Sequence, residues 1–480
     1  MGKNILLVEP GYKTKFPPLG LMKISAYHKK LGDTVKFVKG INHDAGYDYW
    51  DRVYISTLFT YHWRTTVDTI KYYKRLVRGD SSRIVIGGIL ASLMPQEIWR
   101  ETGIMPITGV LSFVDAFGDG TALVVDEMIP DYNLFDGLPQ EYSLIDDSYF
   151  GYSTRGCIHK CKFCGVHHLE PKFIDYKGIK PYVMEIKRLY GEKRHLVLFD
   201  NNILASKRFD QIINDILELG FEAGAKVCYK NKAGRMSYKQ RYVDFNQGTD
   251  ARLFTKHKAK LLSKIAMHPL RIAFDSIKLK ERYKRAVVLA AEYGIRHLSN
   301  YILYNYKDTT EDFWQRLKTN IDLNREYGLT IYSFPMKYIP LNAKDRSYIN
   351  KPNWNWYFLR SIQRILNVLK GAVMPREDFF YRAFGESKDE FQVILYMPEQ
   401  ILMYRGAEKK SDEKAWITKF QNLSNGEKKE LLMTLCQNRT RQKLVTAYTQ
   451  TKDRKLKEIL EYYIPPKTIS GNLSLSFNLE

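Results

Sequence analysis

Short apolar runs alternate with stretches of helical spacing along the first part of the chain, the pattern of a parallel sheet whose strands are joined by helices. Strands are predicted at residues 4–9, 35–38, 52–56 and 83–86, the last running into Gly87 and Gly88. Between them, apolar positions recur every three or four residues over 19–31, with Gly32 as a stop, and again over 65–77. Residues 126–136, which contain Pro130 and Asp131, read as an extended connection, so a domain boundary is expected near residue 145.

The alternation then resumes. Strands are expected at 150–154, 195–199, 242–246, 270–274, 299–303 and 330–333, with helices at 209–219, 258–266, 280–293 and 310–327. In 209–219 the residues Ile212, Ile213, Ile216 and Leu217 make one apolar stripe, and Thr309 with Asp312 forms a capping box before the last helix. Beyond Pro340 the pattern changes to long helical stretches, among them 354–369, 427–436 and 454–463, with charges on their outer faces. The expected fold is α/β in three parts: an N-terminal Rossmann-like parallel sheet domain over 1–145, a central segment of six β/α units over 146–345, and a mainly helical C-terminal domain over 346–480.

A hydrophobic content of 44% belongs to a globular protein. No apolar run is long enough to span a bilayer, and the first residues enter a strand with no signal segment, so a cytoplasmic protein without membrane association is expected. The net charge of +22 adds an attraction to polyanions, which makes RNA or another polyanion a candidate partner. The charge is denser over the C-terminal third and over 226–241, where Lys226, Lys230, Lys232, Arg235, Lys239 and Arg241 interleave with Tyr229 and Tyr238 and precede Tyr242. That stretch is compatible with phosphate contact and base stacking, and equally with a surface hairpin.

Candidate chemistry is concentrated at Cys157, Cys161 and Cys164, three of the five cysteines, in a CxxxCxxC cluster. Iron–sulfur clusters are held by thiolates, normally four, so three leave one iron open to a substrate or cofactor. Cys228 and Cys436 stand alone, which argues against a disulfide framework and for a single cluster. The alternative is a zinc site with His167, His168 or Cys228 as fourth ligand, in a nucleic-acid-binding protein without catalytic activity. Zinc sites usually pair one CxxC with a second, and no second CxxC occurs here.

The run Gly151-Tyr-Ser-Thr-Arg-Gly-Cys-Ile-His-Lys-Cys-Lys-Phe-Cys-Gly165, with Phe163 before the last cysteine, resembles the cluster loop of the radical S-adenosylmethionine (SAM) enzymes. The resemblance implies a partial (β/α)6 barrel with this loop after its first strand, and a 4Fe-4S cluster on Cys157, Cys161 and Cys164. It implies SAM chelated to the open iron through its amino and carboxylate groups. One electron then breaks the sulfonium bond, and a 5′-deoxyadenosyl radical takes hydrogen from a substrate. A reducing protein such as flavodoxin or ferredoxin would supply that electron. Phe163 would pack near the adenine. Asp200, Asn201 and Asn202 stand where the family often carries a Gly-Gly-Glu type motif for the SAM amino group, although an Asx turn would look the same. Arg252 is expected at the SAM carboxylate or ribose, unless it and Asp250 simply hold each other. Asp275 is expected at the ribose hydroxyls, and Asn305 lies at the level where the family contacts adenine.

The first segment resembles the N-terminal domain of cobalamin-binding radical SAM proteins, through Pro17-Pro18-Leu19-Gly20-Leu21-Met22 and Gly87-Gly88. Cobalamin is therefore a candidate second cofactor, and methyl transfer a candidate reaction. No Asp-x-His-x-x-Gly occurs to supply a lower histidine ligand to cobalt. The methylthiotransferases, which carry a second cysteine-bound cluster in their N-terminal domain, are disfavoured because residues 1–156 contain no cysteine.

Overall fold

The structure, a computed structural model, describes residues 2–138, 142, 144–230, 236–405 and 412–464. The chain divides into two compact units. The first comprises Met1–Arg271, Glu292–Ile295 and Ile339–Tyr348, and the second Ile272–Ala291, Arg296–Tyr338 and Ile349–Glu480.

The first unit opens with β1 (Asn4–Glu9), α1 (Leu19–Lys30), β2 (Thr34–Lys39), β3 (Arg52–Thr57), α2 (Trp63–Leu76) and β4 (Ile84–Gly88). The four strands form one parallel sheet in the order β2-β1-β3-β4. In β1 the residues Ile5 to Val8 are all buried, a continuous apolar run with no polar alternation, which is what a strand covered on both faces requires. Strand order reverses between β1 and β3, and at such a point a crevice opens beyond the carboxyl ends of the strands. Gly88, at φ +104°, ends β4; a Cβ there would lie 2.3 Å from the Thr57 carbonyl oxygen, so a side chain cannot be accommodated. Two short helices follow, α3 (Ile89–Leu93) and α4 (Pro95–Thr102).

The connection predicted to be extended is instead bent into 3-10 turns at Val125–Glu127 and Tyr132–Phe135. Asp131 drives the second turn. Its carboxylate accepts from the Asn133 amide at 3.2 Å and from the Ser25 hydroxyl at 2.6 Å, so a local side-chain acceptor outcompetes an extended backbone.

A second parallel sheet in the first unit has the order β5-β6-β9, built from β5 (Ser148–Gly151), β6 (His195–Leu198) and, after a hairpin, β9 (Tyr242–Phe245). The helices α5 (Val166–Leu169) and α6 (Ile179–Tyr190) follow β5, and α7 (Phe209–Glu218) follows β6. The hairpin pairs β7 (Lys226–Lys230) with β8 (Met236–Gln240). It occupies the basic stretch singled out above, of which residues 231–235 lie outside the described residues. After β9 come α8 (Lys256–Leu262) and the short β10 (Leu270–Arg271).

In the second unit, α9 (Lys280–Glu292) leads to β11 (His297–Tyr304), α10 (Thr310–Tyr327) and β12 (Thr330–Lys337). The two strands run parallel in register from His297 opposite Thr330 to Tyr304 opposite Lys337. The predicted capping box is present: the Thr309 hydroxyl accepts from the Asp312 amide at 3.1 Å, and the Asp312 carboxylate from the Thr309 amide at 3.0 Å. The helical region follows, with α11 (Trp356–Val368), α12 (Glu377–Phe384), α13 (Lys388–Tyr396), α14 (Glu399–Tyr404), α15 (Asp412–Gln421), α16 (Asn425–Gln437), α17 (Arg441–Gln450) and α18 (Arg454–Leu460). Its core gathers Trp354, Ile362, Phe384, Phe391, Trp416 and Leu431. Among the described residues, no helix is long and apolar enough to cross a membrane.

Candidate functional site

The cysteine loop leaves the carboxyl end of β5 and is gripped at its root by Asp200, which follows β6 and is fully buried. The Asp200 carboxylate accepts from the amide and hydroxyl of Ser153, at 3.0 and 2.7 Å, and from the amide and hydroxyl of Thr154, the latter at 2.7 Å. Burial pushes this carboxyl up, and the hydrogen bonds from Ser153 and Thr154 pull the other way. This grip explains why β5 stops at Gly151 and not at residue 154. A carboxylate on the neighbouring strand's end takes the amides of Ser153 and Thr154 that a longer strand would use.

Next along the loop, Arg155 pairs with Glu170 at 2.7 Å and stacks 4.0 Å over the Tyr152 ring. Glu170 in turn accepts from the Gly156 amide and from the Asn201 side chain, the second at 3.1 Å. Asn201 is thus engaged in holding the loop closed on itself.

The sulfurs meet two of the predicted strand-end residues. The Asn202 side-chain amide donates to the Cys157 Sγ at 3.6 Å, and the Arg252 guanidinium interacts with the Cys161 thiol. Arg252 also makes a two-pronged contact with Asp250, at 2.8 and 2.9 Å, and Asp250 takes the His159 ring nitrogen at 2.8 Å. Burial would raise the Asp250 carboxyl, but Arg252 and His159 outweigh it and hold it below the ordinary carboxylate range. Asn202 is only 3% exposed, and its Oδ1 is buried with no hydrogen-bond partner. An acceptor taken out of water and left unmet costs about 1–3 kcal/mol, which marks it as a place for a donor.

The three cysteines and Phe163 are all half-buried on this loop, and the Cys164 amide donates to the Cys161 carbonyl at 3.0 Å. Among the described residues, no group of three or more His, Cys, Asp or Glu side chains is gathered to hold a metal ion. The donors nevertheless fit an iron–sulfur cluster in kind: thiols on one short loop, with an amide and a guanidinium turned toward the sulfurs. Of the three candidates for a fourth zinc ligand, His167 and His168 stand in α5, directly after Cys164, and Cys228 stands apart. Cys228 lies in β7, before the amino end of β9, while the cysteine loop leaves the carboxyl end of the parallel β5.

Of the remaining predicted residues, Asp275 and Asn305 belong to the second unit. The Asp275 carbonyl accepts from the buried Arg316 at 3.2 Å. Asn305, at φ 64°, donates to the Tyr338 carbonyl at 3.2 Å and accepts from the Asn350 amide at 2.9 Å, so both ends of its side chain hold backbone.

A cavity of about 190 Å³ lies by the carboxyl halves of β3 and β4, walled by residues such as Leu21, Ile24, Tyr54, Gly87 and Phe117. Its polar end is Lys23, Asp126 and Arg155. Lys23 reaches the Asp126 carboxylate at 3.0 Å, Lys177 reaches it at 2.9 Å, and Arg155 stands at 3.8 Å. Burial alone would raise the Asp126 carboxyl, but these three cations more than offset it and hold it low. Burial likewise pulls the Lys23 ammonium down despite Asp126. Arg155, Glu170, His159, Lys23 and Asp126 were not among the predicted site residues. Arg155 and His159 sit inside the cysteine run and could have been suspected; the others carry no signal in the sequence, because their partners are distant along the chain.

No family model matches the chain, and no curated protein matches it. Solved structures do. The radical S-adenosylmethionine methyltransferase TsrM from Kitasatospora setae, with tryptophan substrate and the SAM analogue aza-SAM bound, aligns over 71% of this chain and 75% of its own, at 15% identity and a TM-score of 0.50. The same enzyme with cobalamin and a [4Fe-4S] cluster bound aligns over 71% and 77%, at 15% identity and a TM-score of 0.49. SuiB from Streptococcus suis, bound to its precursor peptide SuiA, aligns over 54% of each chain at 12% identity and a TM-score of 0.32. At 15% identity the likeness is one of fold.

Proposed function

We propose that this protein is a radical SAM enzyme in which Cys157, Cys161 and Cys164 hold a single 4Fe-4S cluster beside a SAM site. The observation that carries the reading is the pair of donors on the sulfurs, Asn202 at Cys157 and Arg252 at Cys161, with the unmet Asn202 Oδ1 next to them. When bound, such a cluster supplies one electron to the sulfonium of SAM. The chain's own residues do the rest. Positive and N–H groups near cysteine sulfur favour the thiolate that ligates iron, and hydrogen bonds to cluster sulfurs tune its potential.

In this reading Asn202 Oδ1 accepts from the SAM ammonium, and Asp250 fixes Arg252 so that its guanidinium stays against the cluster loop. Phe163 packs near the adenine. Asn201 acts through Glu170 as a positioning residue. A reducing protein such as flavodoxin or ferredoxin supplies the electron, and an oxygen-sensitive cluster suits a cytoplasmic setting.

Cobalamin enters only as a second cofactor. The cavity by β3 and β4 lies where the first sheet changes strand order, with Lys23, Asp126 and Arg155 among its walls. Its wall presents no imidazole or thiol to cobalt, so no methyl-transfer step is assigned. Reconstitution with hydroxocobalamin under anaerobic conditions, followed by gel filtration and an absorption spectrum, decides the point.

The main test is anaerobic reconstitution with iron and sulfide. The expected result is about four irons per chain, a reduced-state electron paramagnetic resonance signal that SAM perturbs, and 5′-deoxyadenosine on reduction. Stoichiometric zinc with no such signal would overturn the reading in favour of a zinc-stabilised nucleic-acid-binding protein. Cys161→Ala should abolish 5′-deoxyadenosine formation, and its persistence would contradict the assignment.

A further inference from the structure

Helix α1 carries a glycine where folding gives no reason for one. Gly20 is its second residue, glycine is the poorest helix former after proline, and a Cβ at this position would meet nothing within 4 Å. Gly20 precedes Lys23 and Ile24 by three and four residues, which puts all three on one helix face, and all three line the cavity by β3 and β4. The missing side chain leaves room in the cavity and relieves no clash. No side chain caps the first turn of α1 and no acidic residue lies in it, so the positive end of a 12-residue helix stands open at the same place.

Two buried cations in the cavity wall have donors to spare. Lys23 is 7% exposed, and its ammonium gives one N–H to the Asp126 carbonyl at 2.5 Å and one to the Asp126 carboxylate at 3.0 Å, which leaves the third. Arg155, also 7% exposed, pairs through Nη2 with Glu170 at 2.7 Å, while its Nη1 stands 3.8 Å from Asp126, beyond hydrogen-bond reach. A buried guanidinium with an N–H unmet calls for an acceptor. At this end three cations, Lys23, Arg155 and Lys177, meet two carboxylates, Asp126 and Glu170. Much of the remaining wall is apolar, with Leu21, Ile24, Ile55, Val110 and Phe117, and the room is about 190 Å³.

We propose that this cavity binds a small organic acid with an apolar body, its carboxylate between Lys23 and Arg155 at the open end of α1 and its apolar part against Leu21, Ile24 and Phe117. Apolar walls with a few convergent polar groups are the usual construction of a small-molecule site. The spare donors select a charged acceptor over a neutral hydrocarbon, and the walls select an apolar body over a bare inorganic anion. Every residue in the argument belongs to the first unit and none is a cysteine, so the inference stands whether or not Cys157, Cys161 and Cys164 hold a cluster.

The test is isothermal titration calorimetry of the full-length protein with hydrocinnamate and with octanoate, one aromatic and one aliphatic acid. The expected result is saturable binding of at least one of them, about tenfold or more tighter than the alcohol of the same skeleton, since a charge-assisted hydrogen bond is worth at least that factor. Gly20→Leu should abolish binding while leaving the melting temperature at or above the parent's, because a Cβ there meets no neighbour and leucine favours the helix. Lys23→Met should weaken binding about tenfold, and Lys23→Arg, which keeps the charge, should weaken it less. Absence of binding by both acids, equal binding of acid and alcohol, or acid binding unchanged in Gly20→Leu would overturn the proposal. So would inorganic phosphate displacing the acid, which would make the site one for bare anions, or hydroxocobalamin displacing it, which would assign the cavity to that cofactor.

Discussion

Asp200 has no contact with solvent, and Ser153 and Thr154 together satisfy its carboxylate while it fixes the point at which the cysteine loop departs. Asp200→Ala would strand those donors in the interior and should lower the unfolding free energy by about 2–4 kcal/mol. Urea denaturation reads that loss, and iron retained after reconstitution should fall with it. His195 makes a second prediction, through pH. Its ring stacks on Tyr242 at 5.2 Å with Nδ1 buried and unpartnered, and burial, helped by Arg194, lowers its pKa from 6.5 to about 4. Between those values the unfolded chain binds a proton that the folded one refuses, so this contribution is complete above pH 6.5 and is lost as the pH falls toward 4. The melting temperature of the iron-free protein should drop across that window, and His195→Phe, which keeps a stacking ring without the proton site, should drop less.

At the scale of elements, the capping box of α10, the apolar stripe of α7 and the four strands of the first sheet were legible, because each is written within a few neighbouring residues. Two of the misplaced elements share one cause. The end of β5 and the turn at Tyr132–Phe135 depend on Asp200 and Asp131, whose carboxylates draw amides away from an extended chain, and no local pattern announces which carboxylate will be in reach. Gly88 shows the reverse, a residue whose role the sequence hinted at and the fold explains. Gly88→Ala would place a methyl group against the Thr57 carbonyl at a φ that L-residues rarely adopt. It should destabilise the first sheet by more than 2 kcal/mol, roughly the cost of strained backbone together with overpacking. Hydrogen exchange should find the loss concentrated in β3 and β4.

For the molecule as a whole, the number of cysteines bounds the cofactor load. Cys228 is exposed on the hairpin and Cys436 half-buried in α16, where its thiol lies 3.7 Å from the Asn355 side-chain oxygen. The double variant Cys228→Ser, Cys436→Ser should therefore keep the full iron content, about four per chain by analysis of the reconstituted protein. A loss of iron would mean that one of them serves as a ligand. By itself the sequence determined the alternation of strands and helices, the helical character of the C-terminal region, and the chemistry of three thiols on one loop, since hydrophobic period and ligand spacing are properties of adjacent residues. Only the tertiary structure decided that Asn202 and Arg252 reach the sulfurs while Asn201, Asp200 and Asn305 are spent on holding backbone and loop. It also decided that the basic hairpin enters its sheet at the end away from the cysteines. Those outcomes turn on which polar groups burial brings within hydrogen-bond reach, and residues as far apart as Cys157 and Asn202 carry no sign in the chain that they will meet.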